Sequence, residues 1–91
     1  MDFEWNSAKA KANLLQHRVD FADAATCFYD DHALTISDPD SEGEERFLSI
    51  AMDANGRVLV TSFAFRENRI RIISSRKASR GERRRYDNES L

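Results

Sequence analysis

The sequence is poor in the residues that build redox and metal chemistry: of its 91 residues, one is a cysteine, Cys27, and two are histidines, His17 and His32. A lone thiol cannot close an internal disulfide, and with two imidazoles it falls short of the four ligands of a tetrahedral zinc site. No metal or cofactor is expected. Missing too is any run near the roughly 20 apolar residues that span a bilayer. The opening Met1-Asp2-Phe3-Glu4-Trp5 lacks the basic and apolar regions of a secretory signal. A cytoplasmic location with no membrane partner follows as an expectation.

What is present suits one small folded unit. Hydrophobic residues make up 41% of the chain and charged residues 33%, in the range of folded globular sequences. Residues 1–91 are expected to form a single domain, with no repeat, low-complexity tract or linker.

Charge is unevenly spread. Up to Ala54 the chain has 4 basic and 12 acidic residues, and after it 10 basic and 4 acidic, so its halves carry −8 and +6. Nine of the later ten are arginines, the side chain whose planar fork matches phosphate or carboxylate. Two readings are open: mutual neutralisation of the halves, or a site for a polyanion or acidic partner.

The period of the apolar residues sorts the elements. Asn6 or Ser7 can cap a helix over Ala8 to His17 with Ala8, Ala12 and Leu15 as its apolar stripe and Lys9, Asn13, Gln16 and His17 on a polar face. After a tight corner at Arg18, Asp20 can cap a second helix that buries Phe21, Ala24, Ala25 and Phe28. Period two then predicts strands over Ala33–Ser37, from Arg46 through Met52, over Arg57–Phe65 and over Arg69–Ser75, with Asn55-Gly56 as a two-residue type I′ turn. Ser79-Arg80-Gly81-Glu82 has the form of a capping box and opens a basic helix to about Glu89. The expected fold is α+β: two N-terminal helices, an antiparallel meander of about four strands, and a C-terminal helix.

Strict alternation points Arg69, Arg71 and Ile73 to one face of the last strand and Ile70, Ile72 and Ser74 to the other. Arg66, Arg71 and Arg76-Lys77 could form a row roughly 30 Å long, suited to an extended nucleic acid. The alternative is a salt-bridge ladder onto Glu4, Glu44 or Glu45. His17 suits proton transfer near neutral pH, although a histidine there also suits a helix C-terminus. Cys27 reads as core filler and His32 as solvated. The loop Asp38-Pro39-Asp40-Ser41-Glu42-Gly43 starts like a calcium loop, but its twelfth position is Ser49 rather than a bidentate glutamate. Calcium is set aside.

Trp5-Asn6-x-x-Lys9-x-x-x-Asn13-x-x-x-His17, Asp20-Phe21-x-x-Ala24-x-x-x-Phe28, Glu44-Glu45-Arg46, Gly56-Arg57-Val58-Leu59-Val60 and above all Arg69-Ile70-Arg71-Ile72-Ile73-Ser74-Ser75-Arg76-Lys77-Ala78 resemble the BrnT-type toxins of bacterial type II toxin–antitoxin pairs. The resemblance implies a RelE-like fold, RNA as substrate, and a DNA-binding BrnA-type antitoxin as partner in a toxin–antitoxin hetero-oligomer. Arg18 replaces a glycine usual in that pattern, and Phe63-Ala64-Phe65 replaces polar residues before Arg66.

Metal-independent cleavage uses the ribose 2′-hydroxyl as nucleophile and needs a proton carrier and a group that stabilises the phosphorane. On this reading Arg71 and Arg76 clamp the scissile phosphate with Arg66 at its edge, and Lys77, Arg80, Arg83 and Arg84 hold flanking phosphates. His17 carries a proton, with Glu45 and Tyr86 behind it. A noncatalytic interaction module that binds an acidic protein or nucleic acid is the alternative, favoured by the polar positions lost before Arg66. A DNA repressor is disfavoured, because no helix-turn-helix pattern places a recognition helix.

Overall fold

Alternating apolar residues in the second half of the chain do become a sheet, with one strand more than expected. The computed structural model describes residues 1–89. Its elements are β1 (Asp2–Glu4), α1 (Ser7–His17), α2 (Phe21–Thr26), a 3-10 turn (Cys27–Tyr29), β2 (Leu34–Ser37), β3 (Phe47–Met52), β4 (Val58–Arg66), β5 (Arg69–Lys77) and α3 (Arg80–Glu89). The sheet order is β1-β5-β4-β3-β2. Strands β2 to β5 form the antiparallel meander, whereas β1 pairs parallel with β5. The α+β class therefore stands, but an antiparallel sheet of four strands is corrected to a mixed sheet of five. Three residues carry too little periodicity to announce β1. Phe3 helps anchor it, its ring 5.4 Å from that of Phe28.

Helix α1 starts where its cap predicts, with the Asn6 side chain accepting the Lys9 N–H, but it lies on the sheet by another face. Ala8, Ala12 and Leu15 are exposed, Leu15 at 78%, while Asn13 is buried and Ala10 packs against the core. The expected stripe is thus turned outward. A polar residue takes the inner position because its hydrogen bonds are all met there, as described below. Helix α2 follows its prediction: Asp20 caps it, and Phe21 and Ala24 are buried. Between them Arg18 makes the corner in the left-handed region, at φ 59°, a conformation that favours glycine.

The β3–β4 turn also departs from expectation. A type I′ turn needs positive φ at both central residues, yet of Asn55 and Gly56 only Gly56 has it, at 83°. The Asp53 carboxylate instead accepts the N–H groups of Asn55 and Arg57 and the Arg57 Nε, and the loop widens around it. Arg57 continues to Asp23 and the Arg18 carbonyl. That arginine is a structural tie between the hairpin and the α1–α2 corner.

The core lies between the first two helices and one sheet face: Val19, Phe21, Ala24 and Cys27 meet Ala51, Leu59 and Ile72. Burial, then the charges of Asp53 and Asp30, pushes the Cys27 thiol up to about 12, so it is inert filler at neutral pH. Phe63 is core and packs edge-on against Phe28, whereas Phe65 on the same face is 59% exposed near the sheet's end.

Helix α3 covers part of the opposite face. Its capping box forms as the sequence implies: the Ser79 N–H donates to Glu82 Oε1 at 2.8 Å and the Glu82 N–H to Ser79 Oγ at 3.2 Å. Farther along, the buried Tyr86 hydroxyl donates to Asp30 Oδ2 at 2.6 Å, and the Met52 N–H donates to the same oxygen. Burial first, then that carboxylate, raises the Tyr86 pKa from 10 to about 12. Burial opposes ionisation of Asp30 as well, but the hydrogen bonds from Met52, Tyr86 and His32 outweigh it and lower its pKa.

Because the folded value for Tyr86 lies above the unfolded one, its contribution is whole below about pH 10 and fades as pH rises toward 12. Tyr86→Phe is expected to lower stability by about 2 kcal/mol at neutral pH, read by urea denaturation, and to shrink the alkaline loss. An unchanged midpoint would show that the Tyr86 hydroxyl adds nothing to the hold on α3.

Candidate functional site

Two adjoining cavities occupy the sheet face that α1 and α2 leave free. The first, about 410 Å³, is walled mainly by Leu34, Ile36, Leu48, Ile50 and Val60, with Ser79, Gly81, Glu82 and Arg85 of α3 along its rim. A flat apolar ring would fit such walls. The second, about 340 Å³, shares Leu48, Val60 and Glu82 with the first and adds His17, Ser62, Ser74, Ser75 and Arg76. Here the chemistry-bearing side chains converge.

Arg76 reaches this face because of one irregularity. Five positions apart on a regular strand, Arg71 and Arg76 would point to opposite faces. The register slips between Ser62 and Phe63: Ser62 pairs with Ser74, but Phe63 pairs with Ile72, leaving Ile73 as the extra residue. This bulge reverses the alternation. Arg66, Arg69, Arg71, Ser74 and Arg76 therefore share a face, and Ser74 is moved from the side that strict alternation assigned it.

His17 arrives from the other direction, through Asn13. Its Nδ2 donates to the Ser75 carbonyl at 2.8 Å and the Val19 carbonyl at 2.9 Å, and its Oδ1 accepts the Ser75 N–H at 3.1 Å. Among the described residues, no strand lies beside this edge of β5 beyond the three residues of β1, and the Asn13 amide takes the place of one. His17, one turn later on the same helix face, is thereby carried to the cavity rim.

Each arginine fork assigned to catalysis meets a carboxylate. Arg71 pairs with Glu4 at 2.7 Å, Arg66 with Glu44 at 3.0 Å, and Arg76 with both oxygens of Glu82, at 2.7 and 2.9 Å. The first two are the contacts of the salt-bridge alternative. Glu44 raises the Arg66 pKa and Glu82 raises that of Arg76; in return the Arg76 hydrogen bonds hold Glu82 down at about 2, against a usual 4.5.

The expected site is therefore divided. His17 and Arg76 line one cavity, while Arg71 and Arg66 lie farther along the same face and do not line it. Arg80, Arg83 and Arg84 border a separate cleft with Asp87 and Asn88 on another side of α3, and Lys77 is exposed at the end of β5. None of these four makes an ion pair among the described residues. Tyr86 is committed to Asp30, and Glu45 is exposed in the acidic loop. Sequence reasoning missed Ser62 and Ser74, which only the bulge brings together, and recognised Glu82 as a helix cap alone.

The model of one family, described as the ribonuclease toxin BrnT of type II toxin–antitoxin systems, matches residues 5–82. The chain belongs to the BrnT family. The structure of the Brucella abortus ribonuclease toxin BrnT is similar in fold, with a TM-score of 0.65 and 22% sequence identity over 88% of this chain and 99% of that one. No curated protein matches. As a BrnT-family chain, the protein is a member of a class of ribonuclease toxins, for which a type II pair implies an antitoxin partner and an RNA target. Among the described residues no helix is long and apolar enough to cross a membrane.

Proposed function

We propose that this BrnT-family protein, a single RelE-like domain over residues 1–91, is a cytoplasmic, metal-independent endoribonuclease that cleaves RNA and thereby inhibits translation. A DNA-binding BrnA-type antitoxin would hold it in a hetero-oligomer. The observation that supports this most is the meeting of His17 and Arg76 in one cavity: a proton carrier and a phosphate-matching fork, brought together by different elements. Because RNA supplies its own 2′-hydroxyl nucleophile, those two tasks and proton removal complete the chemistry. Arg76 stabilises the phosphorane and His17 moves a proton. Arg71 and Arg66 take phosphates farther along the face, and Lys77, Arg80, Arg83 and Arg84 hold the strand where it leaves the cavity.

The reading is tested with purified protein and a defined RNA in the presence of EDTA. New 2′,3′-cyclic phosphate ends are the expected result. Salt-sensitive binding that leaves the RNA whole would select the noncatalytic module instead, since charge pairing weakens with ionic strength whether or not a bond breaks. That second reading draws on the carboxylates found on Arg66, Arg71 and Arg76.

A further inference from the structure

Glu82 was visible in the sequence as a capping residue, but the fold gives its carboxylate two further neighbours. It grips Arg76 with both oxygens, in the fork-to-fork manner in which a guanidinium also binds two phosphate oxygens. A substrate phosphate cannot take that fork without displacing it. It also lines the same cavity as His17. The carboxylate comes from α3, the imidazole from α1 and the guanidinium from β5.

Resting on the ribonuclease reading above, we propose that Glu82 is the general base of the cleavage, released for that task when the scissile phosphate displaces it from Arg76. The carboxylate takes the proton of the 2′-hydroxyl as the 2′-oxygen bonds to phosphorus. The bond from phosphorus to the 5′-oxygen breaks, and protonated His17 gives its proton to that leaving oxygen. The products are a 2′,3′-cyclic phosphate and a 5′-hydroxyl, with the proton from the 2′-hydroxyl left on Glu82 and His17 neutral. Exchange of protons with solvent restores both.

Two features make Glu82 suited to this. Its leash is short: Oε1 also accepts the Ser79 N–H, and its own N–H is held by Ser79 Oγ, so a carboxylate freed from Arg76 stays at the cavity wall. Its basicity is also gated, because the hydrogen bond from Arg76 is the largest cause of its low pKa. Moving that guanidinium onto phosphate returns proton affinity to the carboxylate when substrate is in place. Other carboxylates are engaged elsewhere: Glu4 with Arg71, Glu44 with Arg66, and Asp30 with Tyr86 and Met52.

Glu82→Gln tests this in the full chain, because glutamine preserves the capping box while removing the base. On a defined RNA, kcat should fall on the order of 10²–10³-fold, while KM falls rather than rises, because Arg76 loses its charged competitor. Ser79→Ala weakens the same cap but keeps a carboxylate at position 82 and its hydrogen bonds from Arg76 and the backbone N–H of residue 79, and should lower kcat less than about tenfold, in keeping with a modest capping energy. An unchanged kcat in Glu82→Gln overturns the proposal. So does an equal loss in both variants, which would make Glu82 a helix cap alone. RNA left uncut by the wild-type protein overturns the ribonuclease reading itself, and the proposal with it.

Discussion

Arg76→Ala is expected to lower RNA cleavage on the order of 10²–10³-fold, the loss seen when one donor to a developing oxyanion is removed. Arg76→Lys should recover little of it. An ammonium supplies charge but not two parallel N–H groups, and the bidentate partner that Arg76 already holds shows that both are aimed at one acceptor. Arg71→Ala should cost far less, on the order of tenfold or below, with weaker binding at raised salt. Its fork points to Glu4 on the outer strand, and it stands five strand positions from Arg76, roughly 15 Å along the chain. Single-turnover cleavage of one RNA by the three variants gives the comparison. Equal losses at Arg71 and Arg76 would mean that the two forks converge on one phosphate, as the sequence reading had it, and that the division of the site is wrong.

The ion pairs on these arginines do not by themselves decide between enzyme and binding module. Arg66 and Arg76 are about half exposed, at 52% and 45% of their side chains, and their partners are 37% and 29% exposed. Pairs so open to water are weakly held, and a phosphate carrying full charge and several acceptor oxygens can displace such a carboxylate. What distinguishes Arg76 is the cavity beside it. Arg66 has a carboxylate partner and lines neither of the two adjoining cavities.

The helices, the meander and the capping box were legible because each rests on local chemistry: a cap residue with a free oxygen, a period of two, a serine three residues before a glutamate. What escaped depended on partners distant in sequence. The outward turn of Ala8, Ala12 and Leu15 could not be foreseen, because Asn13 is an acceptable core residue only beside the bare edge of β5, which lies 62 residues away. The division of the site between Arg76 and Arg71 is hidden in the sequence for the same kind of reason. Alternation counts faces correctly until a bulge adds one residue, and nothing in Ile72-Ile73-Ser74 marks where the extra residue falls. The family resemblance carried the RNA reading across that gap; spacing alone did not.

Asn13 should be the position outside the cavity least tolerant of change, and Asn13→Ala should lower stability by about 3 kcal/mol. The substitution removes three hydrogen bonds at one buried position and leaves the Ser75 N–H, the Ser75 carbonyl and the Val19 carbonyl without their side-chain partner. Asn13→Leu should be no better, since similar volume does not restore a donor and an acceptor. Asn13→Asp should fare worst, because a carboxylate would face two carbonyl oxygens that need N–H groups. Urea denaturation of the three variants sets this order. Cleavage under conditions where the Asn13→Ala variant remains folded should still drop, since the contact that seats α1 against β5 also brings His17 to Arg76. A loss below about 1 kcal/mol would mean that water reaches the Ser75 edge and satisfies it, in which case Asn13 is replaceable and the placement of His17 must come from the Arg18 corner instead.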